Sequence, residues 1–116
     1  MNIHRSAPLQ EPTFFILLSL ASGNKHGYAI MKDVATLSEG KVRMGTGTLY
    51  GALSRLLEQA LIERIDLPED NCSNCGGRLR KAYRLTSAGR ALLQLETDRM
   101  RSLVTTASLR LEEGNI

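Results

Sequence analysis

Cys72 and Cys75, set in "CSNCGG" and followed by Gly76 and Gly77, are the unusual feature of this sequence. The spacing matches one half of a zinc knuckle, where glycines let backbone N–H groups turn towards thiolates. A structural zinc takes about four ligands. There is no second cysteine pair, and the two histidines, His4 and His26, are remote in sequence. Three readings stay open. The cysteines are inert loop residues, or a disulfide between them stiffens the loop as a thiol switch, or they hold a metal with ligands from elsewhere. Apart from zinc or a disulfide at Cys72 and Cys75, no cofactor is expected.

Catalytic chemistry finds little support. No Ser-His-Asp or Cys-His-Asp set lies close in sequence, and few acids have apolar neighbours. Gly45-Thr46-Gly47-Thr48 lacks the Gly-Lys-Ser/Thr that would make it a phosphate-cradling loop, so it reads as a turn and helix cap. An enzyme is not expected. The charge is more telling. Residues 78–90 hold five cations (Arg78, Arg80, Lys81, Arg84, Arg90) and no acid. Glu69 and Asp70 come just before, and Glu96, Asp98, Glu112 and Glu113 follow later. A charge run is most often a solvated face, so its position in the fold decides its meaning.

The chain of 116 residues is enough for one domain. So small a core leaves apolar surface for a partner subunit. The net charge of +3 and pI near 9.1 permit a nucleic-acid partner without demanding one. No apolar run reaches the roughly 18 residues of a membrane span, and residues 14–18, the longest, have no cleavage-site pattern behind them. A cytoplasmic protein with no membrane partner is expected.

These residues need elements to position them. "EPTFFILLSLASG" starts with Pro12 in a first helical turn and closes at Gly23. Its apolar residues cover nearly every side, which predicts burial all round, against its own core and a second subunit. A second helix is predicted over residues 27–38, with Ile30, Val34 and Leu37 as its stripe, Tyr28 and Met31 beside it, and Gly40 as its stop. Thr46 is the expected cap of a third helix reaching residue 60, with Leu49, Leu53, Leu56 and Leu57 as its stripe. "LIERIDL" and "LRKAYRLT" alternate apolar and charged residues, the strand period, around a turn-rich segment, so they predict a β-hairpin. Thr86 caps a last helix over residues 87–111.

The expected fold is mainly α with a small β-hairpin: a winged helix-turn-helix plus a long C-terminal dimerisation helix. Residues 1–86 form the DNA-binding domain, with its wing at 61–86, and residues 87–116 form the dimerisation helix and tail. In that module the third helix enters the DNA major groove and the wing lies on the backbone. Opposite the leucine stripe lie Thr48, Gly51, Ala52, Ser54, Arg55 and Gln59. Small residues allow close approach in a groove about 12 Å wide, and hydroxyl and guanidinium donors reach phosphates and base edges. Arg78, Arg80 and Lys81 on the wing add attraction that does not depend on sequence.

Three stretches carry a family resemblance. "EPTFFILLSLASGNKHGYAIMKDV", with its His-Gly-Tyr turn, "VRMGTGTLYGALSRLLEQALIE", with Gly-x-Leu-Tyr-x-x-Leu-x-x-Leu, and "KAYRLTSAGRALL", with Tyr-x-Leu-Thr-x-x-Gly, follow one another across residues 11–93. Together they resemble the PadR family of transcriptional regulators in its short form, with a single C-terminal dimerisation helix. The resemblance implies a homodimeric repressor, often one released from DNA by a small-molecule effector bound in the dimer cleft. It places Thr46, Thr48, Tyr50, Gly51, Ser54 and Arg55 in the DNA-facing unit. Tyr50 reads equally as a core residue between the second and third helices, or as a packed ring with its hydroxyl on a phosphate. His26 and Tyr28 are expected to hold the turn before the second helix, not to touch a ligand. With no Trp and two Phe, no aromatic effector pocket is evident.

Leu93, Met100, Val104, Ala107 and Leu111 recur at coiled-coil spacing, and Leu92, Leu95 and Leu103 form a second strip. A homodimer is expected, with Phe14, Leu17 and Leu18 of the first helix joining Leu93, Met100, Val104, Ala107 and Leu111 at its interface. Two-fold symmetry then implies an inverted-repeat operator in double-stranded DNA. The rival readings are a winged-helix dimer that binds a protein instead of DNA, and a regulator that responds to oxidation through the wing cysteines.

Overall fold

The computed structural model describes residues 10–68 and 79–114. In chain order these form α1 (Glu11–Ala21), β1 (Lys25–His26), α2 (Gly27–Leu37), α3 (Thr46–Glu58), β2 (Ile62–Pro68), β3 (Leu79–Leu85) and α4 (Ser87–Glu113). The mainly helical winged fold read from the sequence is the one observed. Its sheet has one strand more than the predicted hairpin. β1 pairs with β3, giving the order β1-β3-β2, all antiparallel. A strand of two residues has no alternation to read, so the pairing of Lys25 with Tyr83 and His26 with Ala82 was hidden from the sequence.

α1 carries Pro12 in its first turn and buries Ile16, Leu17 and Leu20. Phe14, Phe15 and Leu18 are only partly covered. Lys25 closes the end of α1: its ammonium donates to the Ser19 carbonyl and, at 3.0 Å, to the Ser22 hydroxyl. That occupies a carbonyl the helix itself leaves unpaired. Asp33 of α2 lies 3.8 Å from the same ammonium, so one cation links α1 to α2.

α2 buries Ile30 and Val34. Leu37, expected in that stripe, is 40% exposed because the helix stops there and turns away from the core. Glu39 and Gly40 leave it with φ of 55° and 80°. The Ser38 hydroxyl accepts from the Val42 amide at 2.9 Å and fixes the turn into α3.

α3 buries Leu49, Ala52, Leu53 and Leu56, one face of a helix. Its cap is Gly45, not Thr46: Thr46 already has helical geometry, and no side chain caps the end. α3, the sheet and the start of α4 close one core around Leu53, Leu56, Ile62, Tyr83, Leu85 and Leu92. Each aliphatic side chain buried there contributes about 1.5–3 kcal/mol.

Thr86 caps α4 as expected, accepting from the Gly89 amide at 3.0 Å. Its hydroxyl also donates to the Ala60 carbonyl at 2.7 Å, and its amide to the Leu61 carbonyl at 3.1 Å. The turn from α3 into β2, where Ala60 has φ of 59°, is thereby bolted to the first turn of α4. Leu92 and Leu93 pack into the shared core, while every residue from 101 to 114 is exposed.

Two residues expected at a dimer interface are therefore elsewhere. Leu17 is fully buried and Leu93 is 7% exposed, both inside the chain's own core. The side of α1 that carries Leu17 faces α2 and the sheet, and Leu93 lies on the first turns of α4, which pack on the body. Phe14, Leu18 and Met100 are half-buried, and Val104, Ala107 and Leu111 are exposed.

Gly89 sets how closely α4 approaches. A Cβ there would lie 2.0 Å from the Leu61 carbonyl oxygen and 2.9 Å from Leu85 Cδ1. Backbone cannot yield cheaply, so Gly89→Ala is expected to cost about 2 kcal/mol and to lower Tm by roughly 10 °C. A thermal melt with unchanged Tm would contradict this reading of the joint.

Candidate nucleic-acid interface

The outer surface of α3 is small and polar. Thr46, Gly47, Thr48, Ser54 and Arg55 are exposed and Gly51 is half-buried. Ala52, expected on this surface, is 4% exposed and belongs to the core, because it lies beside Leu53 and one turn after Leu49. Gly45 and Gly47 face open space where a Cβ would stand. The first turn of α3 holds no acid and no side-chain cap. Its leading N–H groups are thus free of partners within the helix and point where the helix dipole favours an anion.

Lys41 and Arg43 stand in the turn that leads to this end, and both are exposed. Arg43 donates to the Gly40 carbonyl at 3.3 Å, which holds its guanidinium beside the turn. Neither was among the residues expected to meet DNA. The signal was present as the basic start of "KVRMGTGTLY", but only the fold shows that this turn and the end of α3 form one surface.

Tyr50 lies between the two helices of the motif. A Cβ on Gly27 would meet its hydroxyl at 2.4 Å and its ring carbon Cζ at 3.0 Å. Gly27 thus makes room for Tyr50 at the start of α2. The ring is still 43% exposed, so packing between helices and an accessible face coexist. Tyr28, expected to hold the turn before α2, points outward instead: it is 68% exposed, with the Lys32 ammonium 5.5 Å from its ring centre. It follows Gly27 on the first turn of α2, on the side away from the core. His26 does hold structure, with Nδ1 at 3.0 Å from the Lys81 carbonyl and Nε2 at 3.1 Å from the Pro68 carbonyl.

On the wing, Arg80 and Lys81 are exposed. Neighbouring strand residues point to opposite faces. Lys81 therefore shares a face with Tyr83, and Arg80 shares the other with Arg84. Arg84 pairs with Glu63 directly across the sheet, its Nη2 at 2.5 Å and its Nε at 2.8 Å from one carboxylate oxygen. That pair removes one cation from the basic run. Arg78, Cys72 and Cys75 lie outside the described residues. Among the described residues no cluster of three or more His, Cys, Asp or Glu could hold a metal, and no helix is long and apolar enough to cross a membrane.

Three helices, a wing, and a third helix with a small, polar outer face define a winged helix-turn-helix protein. The chain matches the transcriptional regulator PadR-like family over residues 16–95 and belongs to it. That is a family of transcription regulators, not of enzymes. Among solved structures, a PadR family transcription regulator from Clostridium difficile is 25% identical with a TM-score of 0.67, covering 88% of this chain and 99% of its own. A PadR-like regulator from Bacillus cereus is 22% identical with a TM-score of 0.69, covering 85% and 89%. Bacillus subtilis PadR, solved in complex with operator DNA, is 20% identical with a TM-score of 0.59, covering 73% and 46%. An uncharacterized 37.1 kDa protein in a transposon of Streptomyces fradiae is 39% identical over 88 residues, 76% of this chain. The chain spans 22% of that relative's length.

Tyr83, buried in β3, has a titration signature. Burial raises the Tyr83 hydroxyl above its ordinary value of 10.0, the nearby Tyr50 adds to the rise, and Arg64 opposes it. The folded chain therefore favours the neutral phenol. Its contribution to stability holds below pH 10.0 and is lost as pH climbs through the higher folded value. Ultraviolet titration should show a late phenolate component that Tyr83→Phe abolishes; an unchanged profile would count against it.

Proposed function

We propose that this chain is a homodimeric, sequence-specific DNA-binding repressor that places α3 in the major groove and its wing on the backbone. The observation that carries the reading is the outer surface of α3. Thr46, Thr48, Ser54 and Arg55 stand exposed on a helix whose opposite side is fully packed. An acid-free helix start and the cations Lys41 and Arg43 stand beside them. Small side chains allow the helix to approach base edges, and the N–H groups and cations suit phosphates. The related regulator solved with operator DNA supports the same use of this fold.

The residues divide by role. Arg55, Thr48 and Ser54 read base edges or nearby phosphates. Arg80 and Lys81, with Arg78, attract the backbone whatever its sequence. Tyr50 and Gly51 complete the helix surface. Arg80→Ala should weaken binding to all duplexes alike and lessen its salt dependence, whereas Arg55→Ala should cost about 1–3 kcal/mol and change the preference among operators. Titration by fluorescence anisotropy with DNA from upstream of the coding region, at several salt concentrations, separates the two; identical effects would refute the division. No binding above a random duplex would favour the protein-interaction reading instead.

A dimer is supported by α4. Its 27 residues extend about 40 Å, and Leu103, Val104, Leu109 and Leu111 are each more than half exposed. A second copy of the helix is the partner we propose, which gives two α3 helices and an inverted-repeat operator. Release from DNA by a small-molecule effector in the dimer cleft completes the proposal. Val104→Asp places a charge on the apolar strip and should halve the mass seen by sedimentation; an unchanged mass would exclude this interface.

A further inference from the structure

Arg64 of β2 was not among the residues expected to meet DNA. It is exposed and stands directly across the sheet from Tyr83 of β3. Residues opposed in this way share one face of a sheet. Here that face also carries Ile62 and Leu85, which lie in the core with Leu53 and Leu56 of α3. Arg64 therefore leaves the sheet on the side of the recognition helix, just beyond the core. Arg84 and Glu63 pair with each other on the opposite face.

Tyr50 of α3 comes to the same place. The Tyr83 hydroxyl lies near both the Tyr50 phenol and the Arg64 guanidinium, each of which acts on its charge. Tyr83 itself is buried, while Tyr50 is 43% exposed. The Tyr50 hydroxyl also lies over Gly27, at the start of α2. That helix end has no side-chain cap and no acid in its first turn, so its dipole favours an anion. A phenol from α3 and a guanidinium from β2 thus stand on either side of Tyr83, where the helix-turn-helix meets the wing.

We propose that Arg64 and Tyr50 hold one phosphate of the operator backbone between them, at the junction of α3 and the wing. This rests on the DNA-binding reading given above. With α3 in the major groove and the wing on the backbone, one DNA strand runs past this junction. A guanidinium offers parallel N–H donors to phosphate oxygens, and a phenol offers one more. Asp66, two residues further along β2 on the same face, stands across from Lys81, an opposite charge; the residue across from Arg64 is the neutral Tyr83. A phosphate held from two elements at once fixes the register of α3 and the wing together on the duplex.

Ethylation interference, on duplex DNA from upstream of the coding region, reads single phosphates. One phosphate whose ethylation blocks the parent should become indifferent in Arg64→Gln, and the same one in Tyr50→Phe. The second variant keeps the ring over Gly27 and removes only the hydroxyl. Each should bind about tenfold more weakly, and the double variant should lose less than the product of the two. Arg64→Gln should also lower the slope of log affinity against log salt by about one per subunit, whereas Tyr50→Phe removes no charge and should leave it unchanged.

An interference pattern like the parent's in both variants, or the loss of different phosphates, would overturn the inference and leave DNA binding standing. Loss of the same phosphate in Arg84→Gln would overturn it too, since Arg84 leaves the opposite face. No binding by the parent above a random duplex would sink the function proposed above, and this inference with it.

Discussion

The Thr86 hydroxyl donates to the carbonyl of Ala60 and accepts from the amide of Gly89, while its own amide donates to Leu61. Through these bonds the exit of α3, the residue just before β2 and the first turn of α4 share one joint. Gly89 lets the joint close, since a Cβ would strike the Leu61 carbonyl oxygen. The tilt of α3 against the wing, and the direction in which α4 leaves the body, are both fixed here. α3, whose outer face is small and polar, and α4, whose far half is exposed, are thus referred to the same few atoms.

Around that joint the two ends of the motif are secured by different means. Lys25 ties the end of α1 to α2 through carbonyl and carboxylate contacts, and Ser38 fixes the turn into α3. The wing is tied through the His26 ring.

Charge on the wing is also less uniform than its sequence. Five cations in thirteen positions look like one patch. In the fold, Arg84 is taken by Glu63 across the sheet, and Arg80 and Lys81 leave opposite faces of β3. The basic surface near α3 is instead extended by Lys41 and Arg43 from the preceding turn.

The sequence by itself determined the order and extent of the four helices, the hairpin strands, the Thr86 cap and the buried face of α3. Each of these is local: helical spacing, strand alternation and capping chemistry act over a few residues. The three motifs also carried the family across residues 11–93. Only the tertiary structure decided the rest. The pairing of β1 with β3, the seat of Tyr50 over Gly27, the burial of Leu17, Leu93 and Ala52, and the outward turn of Tyr28 all depend on which surface meets which. Spacing places a residue on a face of its own element. What that face packs against is set by contacts between residues far apart in the chain, such as His26 with Lys81, and a single sequence holds no record of those.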